Sequence, residues 1–216
     1  RGDPARRAAE LRSEIERHER LYYALGRPEI GDREFDRMMA ELVALEKERP
    51  ELATADSPTR RVGGEPLAGF EPVRHEPAMM SLDNTYNLDE LREWNGRLER
   101  LAPDEAANGF VFVAELKVDG VSTSLLYENG LFVRGATRGN GAVGDDVTEN
   151  LRTVRALPLR LPAGAPSRLL VRGEVYMPRA EFERVNRERE LAGEPLYANP
   201  RNVTAGTIRQ LDSRQV

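Results

Sequence analysis

Basic charge in this chain is written almost entirely as arginine. Of 32 Lys and Arg positions only two are lysine, Lys47 and Lys117. A guanidinium stays protonated near neutral pH, whereas a lysine amine can lose its proton and attack an electrophile. Lys47 lies in Leu45-Glu46-Lys47-Glu48-Arg49, a charged helix end where any cation would serve. Lys117 lies in Ala114-Glu115-Leu116-Lys117-Val118-Asp119-Gly120 and is the candidate nucleophile. Period-two patterning predicts a strand over 111–118. Phe112, Ala114, Leu116 and Val118 would then face the core, and Glu115 and Lys117 would share the other face, about 7 Å apart. Asp119-Gly120 would turn the chain into the next strand, Gly allowing close approach of backbone or ligand. A plain ion pair on an exposed strand would give the same pattern.

Two later features favour chemistry. Arg138 precedes Gly139-Asn140-Gly141-Ala142-Val143-Gly144, a loop that could offer N–H groups and a guanidinium to phosphate, though not at the spacing of a Walker loop. Glu174 lies inside the apolar run 169–177, as a surface residue or as an acceptor for ribose hydroxyls. A lysine, carboxylates and an arginine around one pocket suit nucleotidyl transfer to an amine. The amine attacks an α-phosphorus, forming a phosphoramidate, and positioning and electrostatics carry most of the catalysis. Magnesium would offset phosphate repulsion. Glu115 by itself favours the protonated amine, so metal and arginine charge, or deprotonation on substrate binding, must overcome it. Schiff-base chemistry, the other use of such a lysine, explains neither Arg138 nor Glu174.

These groups need a scaffold. Leu11, Ile15, His18, Tyr22 and Leu25 form one helical stripe within 4–25, and Phe35, Met38, Met39, Leu42 and Leu45 a second, after an N-cap at Asp32. Residues 50–80 carry Pro50, Pro58, Pro66, Pro72, Pro77 and Gly63-Gly64, the pattern of an extended connector. A third helix opens at Asn87, with Glu90 completing a capping box. Strands are predicted at 121–128 and 131–138, joined by Asn129-Gly130, and at 169–177. Short helices are predicted near 145–155, from Pro178 to Leu191, and within the last 25 residues. The fold class is therefore α+β, a helical module followed by an antiparallel sheet. The division falls at 1–65 and 66–216.

Composition sets outer limits. With 216 residues, 39% hydrophobic and 32% charged, the chain suits a globular protein of one large or two small domains. No apolar run reaches a membrane span. The absence of cysteine excludes disulfides and zinc–thiolate sites in this stretch, so a reducing cytoplasm is expected. A net charge of -5 gives no general attraction to nucleic acid.

Glu115-Leu116-Lys117-Val118-Asp119-Gly120 resembles the Lys-x-Asp-Gly motif of covalent nucleotidyltransferases. Ser81-Leu82-Asp83-Asn84, Ala136-Thr137-Arg138-Gly139-Asn140-Gly141, Val171-Arg172-Gly173-Glu174-Val175 and Ala198-Asn199-Pro200-Arg201-Asn202 resemble one branch, the bacterial NAD-dependent DNA ligases. Tyr22-Tyr23, Pro28-Glu29-Ile30, Asp32-Arg33-Glu34-Phe35-Asp36 and Asp56-Ser57-Pro58-Thr59 extend the likeness through the N-terminal helices. The resemblance implies an ATP-grasp-like nucleotidyltransferase domain of the DNA ligase type. Lys117 would take AMP from NAD and release nicotinamide mononucleotide (NMN). Tyr22, Tyr23, Asp32, Arg33, Glu34, Phe35 and Asp36 would bind the nicotinamide half. Ser81 and Leu82 would line the nucleotide site, Glu115, Arg138 and Glu174 would contact adenosine, and Asp119 and Gly120 would shape the pocket. Helix core is the competing role for Tyr22 and Phe35.

The resemblance further implies magnesium as cofactor and nicked double-stranded DNA as partner, in DNA replication and repair, with a monomer and no membrane association expected. Asn140 stands where the family has Asp, Ser122-Thr123 replace a small apolar pair, and Val203-Thr204 interrupt an alanine run. The chain stops before the later lysine motifs, so it is expected to be an N-terminal fragment that does not join DNA, with self-adenylylation weak or absent. Zinc is expected only in the family's later region. Two rival readings stay open: an ATP-dependent ligase or capping-type nucleotidyltransferase, and a non-catalytic nucleotide-binding module.

Overall fold

Two packed helices open the chain, whose computed structural model describes residues 3–21, 27, 29–61 and 69–216. Helix α1 (Pro4–Glu19) starts where the Asp3 side chain accepts the Ala5 N–H at 3.0 Å. Pro4 takes the first helical position, where a missing N–H costs nothing. Helix α2 (Asp32–Glu48) begins one residue earlier than expected: Gly31 is the cap residue, and Asp32 is already helical. Ala8, Leu11 and Ile15 of α1 bury against Leu42 of α2, with Phe35, Met38, Met39 and Leu45 around them. Tyr22 and Leu25, the predicted end of the α1 stripe, and Pro28 lie outside the described residues.

The expected extended connector is instead built into the protein. Ser57 and Pro58 are buried, and Glu46 of α2 accepts hydrogen bonds from Ser57 Oγ at 2.7 Å and from Thr59 Oγ1. Arg61 donates to the carbonyls of Arg152, Val154 and Leu157 at 3.1–3.4 Å, and to Glu19 Oε2 at 2.9 Å. Proline spacing set this segment apart from the helices, but did not reveal the polar side chains that anchor it. Gly63, Gly64 and Pro66 lie outside the described residues.

Strand β1 (Pro72–Arg74) follows, then α3 (Leu88–Leu101) and the short α4 (Pro103–Ala107). The Asn87 cap of α3 forms as the sequence indicates, but the return bond of the expected capping box comes from the Tyr86 N–H and not from the Asn87 N–H. Asn87 Oδ1 accepts the N–H groups of Asp89 and Glu90 at 3.0 and 2.9 Å, while Glu90 reaches back to the Tyr86 N–H at 2.7 Å. Nevertheless α3 buries no residue.

The predicted strand over 111–118 is not formed. Residues 111–119 carry no ladder pairing and are all exposed, Val111 at 95% and Leu116 at 94%. Alternation marks a chain able to pair, but a strand exists only through hydrogen bonds to a neighbour, and no described residue supplies one. Phe112 instead touches Trp94 of α3, ring centroids 5.7 Å apart.

Strands β2 (Val121–Glu128) and β3 (Leu131–Thr137) form the predicted hairpin, its turn at Asn129 (φ 49°) and Gly130 (φ 78°). Strand β4 (Val143–Asp145) pairs with β1, and α5 (Thr148–Arg152) follows. Strand β5 (Arg168–Val175) adds to the free side of β2, giving an antiparallel sheet of order β3-β2-β5. Helices α6 (Arg179–Leu191) and α7 (Pro200–Ile208) follow, α7 capped by Asn199. Tyr127, Phe132, Val147, Leu151, Leu157, Leu159 and Ile208 form the second core. The architecture is α+β with an antiparallel sheet, as expected. Among the described residues, no helix is long and apolar enough to cross a membrane.

Candidate functional site

One face of the sheet is apolar and carries the core; the other collects polar side chains. Cross-strand pairing sets Ser122 opposite Glu174 and Ser124 opposite Arg172. Glu174, half-buried on the edge strand β5, accepts a hydrogen bond from Ser122 Oγ at 2.7 Å. The Ser122 carbonyl accepts the Arg138 N–H at 2.9 Å. The Arg138 guanidinium donates to Ser81 Oγ at 3.1 Å. Ser81, Arg138 and Glu174, from three separate segments, are thus linked into one hydrogen-bonded group, with Ser122 as the joint. Arg172 ties the segment before Ser81 to the same face by donating to the carbonyls of Pro77 and Ala78.

Gly120 explains how the segment that carries Lys117 meets this group. It is buried, and a Cβ built on it would lie 2.2 Å from the Val175 carbonyl oxygen. Only glycine lets the chain press against the end of β5 at this point. Asp119 pairs with Arg201 of α7 at 3.4 Å. Lys117 and Glu115 are exposed. The missing strand removes the geometric basis for a shared face, so the predicted alternation of Glu115 and Lys117 against a core side does not hold. Lys117 lies four positions before Val121, at most about 14 Å of chain, so the amine stays tethered near this end of the sheet.

The Gly-rich loop does a different job from the one expected. The N–H groups of Asn140, Gly141, Ala142 and Val143 are consumed inside the loop, by the carbonyls of Val143 and Arg138 and, twice, by Asn140 Oδ1. They are not turned outward as a phosphate cradle. The loop is a clamp: Gly141 accepts from Met79, Ala142 accepts from His75, and so the 75–81 segment is laid beside Arg138. Asn140 Oδ1 accepts the Ala142 and Val143 N–H groups.

The remaining expected site residues sit elsewhere. Leu82 is 76% exposed next to Ser81. Arg33, Glu34 and Asp36 are exposed on α2, and Phe35 is half-buried against the helical core. Asp32 opens α2. Tyr22 and Tyr23 lie outside the described residues. Sequence reasoning passed over Ser122 and Arg172 as functional positions. Ser122 stood out only as a polar residue where an apolar one was expected, and strand register was needed to set it opposite Glu174.

Comparison with known proteins bears on the same residues. Residues 67–216 match the family model described as the NAD-dependent DNA ligase adenylation domain. Residues 1–63 match the model described as the DNA ligase-like, N-terminal NAD+-binding domain. The chain is 54% identical over 208 residues to the DNA ligase of Pelotomaculum thermopropionicum, covering 96% of this chain and 30% of that protein. It is 52% identical over 212 residues to that of Heliobacterium modesticaldum, covering 98% and 31%. For Rubrobacter xylanophilus the figures are 53% over 208 residues, 96% and 30%. The chain thus spans about 30% of the length of these curated relatives. The motifs grouped at one end of the sheet, and the helices that precede them, are those of a single lineage: the chain belongs to the NAD-dependent DNA ligase family.

Proposed function

We infer that this chain supplies the adenylylation half of a nick-sealing reaction. The Lys117 amine attacks the adenylyl phosphorus of NAD, NMN leaves, and AMP remains on the Lys117 nitrogen as a phosphoramidate. AMP then passes to the 5′-phosphate of nicked double-stranded DNA, and the 3′-hydroxyl displaces it to close the phosphodiester. Residues 1–65 act as the NMN-binding module, through Tyr22, Tyr23, Asp32, Arg33, Glu34, Phe35 and Asp36. Residues 66–216 hold the adenylyl half: Ser81 and Leu82 line the nucleotide site, Glu115, Arg138 and Glu174 contact adenosine, and Asp119 and Gly120 shape the pocket. The protein works as a monomer in a reducing cytoplasm.

The observation that carries this reading is the linked group Ser81–Arg138–Ser122–Glu174, with Gly120 packed against the end of the same strand. It gathers an arginine, hydroxyls and a carboxylate at the end of the sheet to which the Lys117 segment is tethered. An exposed Lys117 remains free to meet a phosphorus; a side chain buried in hydrocarbon would not. Magnesium would supply charge neutralisation on the pyrophosphate. Among the described residues no three His, Asp or Glu side chains converge as a metal site.

The test is parallel incubation with magnesium and either NAD or ATP, followed by intact-mass measurement. An AMP adduct with NAD and none with ATP supports the reading. An adduct with ATP alone makes the chain an ATP-dependent nucleotidyltransferase.

A further inference from the structure

The structure gives the Ser122 side chain a task. It faces Glu174 across the β2–β5 ladder and donates to Oε2 at 2.7 Å. Among the described residues no other group bonds the Glu174 carboxylate. An unrestrained glutamate on an edge strand samples many rotamers, and that freedom must be lost when a ligand binds. A charge-assisted bond from a hydroxyl on the rigid central strand removes much of it in advance. With Oε2 taken by Ser122, Oε1 is left to accept from a ligand. The Ser122 carbonyl also takes the Arg138 N–H, so one residue sets the position of both neighbours.

We propose that Ser122 is a positioning residue of the adenosine site: its hydroxyl holds the Glu174 carboxylate ready for a ribose hydroxyl and so sets the preference for a ribonucleotide over a deoxyribonucleotide. This rests on the assignment of Glu174 to adenosine made above. An alanine at 122 leaves the carboxylate in place but unheld. A threonine keeps the donor.

The experiment is calorimetric titration of the 216-residue chain with AMP, 2′-deoxy-AMP and 3′-deoxy-AMP. The wild type should bind AMP roughly tenfold or more tightly than at least one deoxy analogue, the size of a hydrogen bond to a charged group. Ser122→Ala should shrink that ratio to about threefold or less, leave the affinity for the deoxy analogue unchanged, and be rescued by Ser122→Thr. In a Glu174→Ala background, Ser122→Ala should have no further effect on the ratio; this arm separates positioning from general damage to the fold. A discriminating wild type with equal discrimination in Ser122→Ala overturns the proposal and leaves the assignment of Glu174 standing. A wild type that binds AMP without discrimination overturns the ribose role of Glu174 and the proposal with it. A wild type that binds no AMP overturns the adenosine site itself.

Discussion

Gly120 is the residue where local stereochemistry and chemistry meet. A Cβ there would lie 2.2 Å from the Val175 carbonyl oxygen and 3.1 Å from Tyr176 Cα, both backbone atoms that cannot swing aside. Gly120→Ala should therefore push residues 117–119 away from β5. The cost should be about 1–3 kcal/mol, as for other overpacking changes, read as a fall in urea unfolding free energy. Adenylylation should fall further than stability does, because the displaced stretch carries Lys117. The lysine itself was legible in the sequence through the arginine bias around it. The glycine's constraint was legible only as a motif letter, since its clashing partner is 55 residues away on β5.

Among elements, legibility followed the range of the interaction. The β2–β3 hairpin was readable because Asn129-Gly130 encodes its own turn. The α3 start was readable because its donors and acceptors lie within five residues. Asn87→Ala should cost about 0.5–2 kcal/mol of helix stability. Because α3 buries no residue, the loss should appear as faster amide exchange over 88–92, with little change in the global unfolding midpoint. The strand over 111–118 was misjudged because alternation describes a face and says nothing about a partner. The proline-rich 50–61 stretch was misjudged because its anchors, Glu46 and Glu19, lie 11 and 42 residues from their partners Ser57 and Arg61.

For the molecule as a whole, buried polar contacts fasten the helical module to the sheet domain. Arg61 bonds Glu19 in α1, the carbonyl of Arg152 at the end of α5, and the carbonyls of Val154 and Leu157 just beyond it. Arg61→Met strands a buried carboxylate and should cost about 3–5 kcal/mol, and Glu19→Gln should recover part of it. Burial raises the Glu19 carboxyl above its ordinary 4.5, with Arg61 opposing incompletely. A raised value in the folded state means stability is fully present below pH 4.5 and is lost as pH rises through the folded value. Asp56 acts in the opposite sense. Burial alone would raise it, but hydrogen bonds from Arg160 and Thr54 hold it below its ordinary 3.8, so its contribution is lost as pH falls through the folded value. Urea midpoints across pH should show Glu19→Gln flattening the decline above pH 4.5, and Asp56→Asn flattening the loss on the acid side of pH 3.8.

The identity of the nitrogen that receives AMP decides the chemistry. Lys117 lies on an open, exposed stretch, so the yield on this chain should be a small fraction of the molecules. NAD radiolabelled in the adenylyl group, followed by peptide mapping under conditions that preserve phosphoramidates, counts even that fraction. The predicted result is acid-labile label on the peptide that contains Lys117, absent from Lys117→Arg and unchanged in Lys47→Arg. Label on another peptide, or label undiminished in Lys117→Arg, would contradict it.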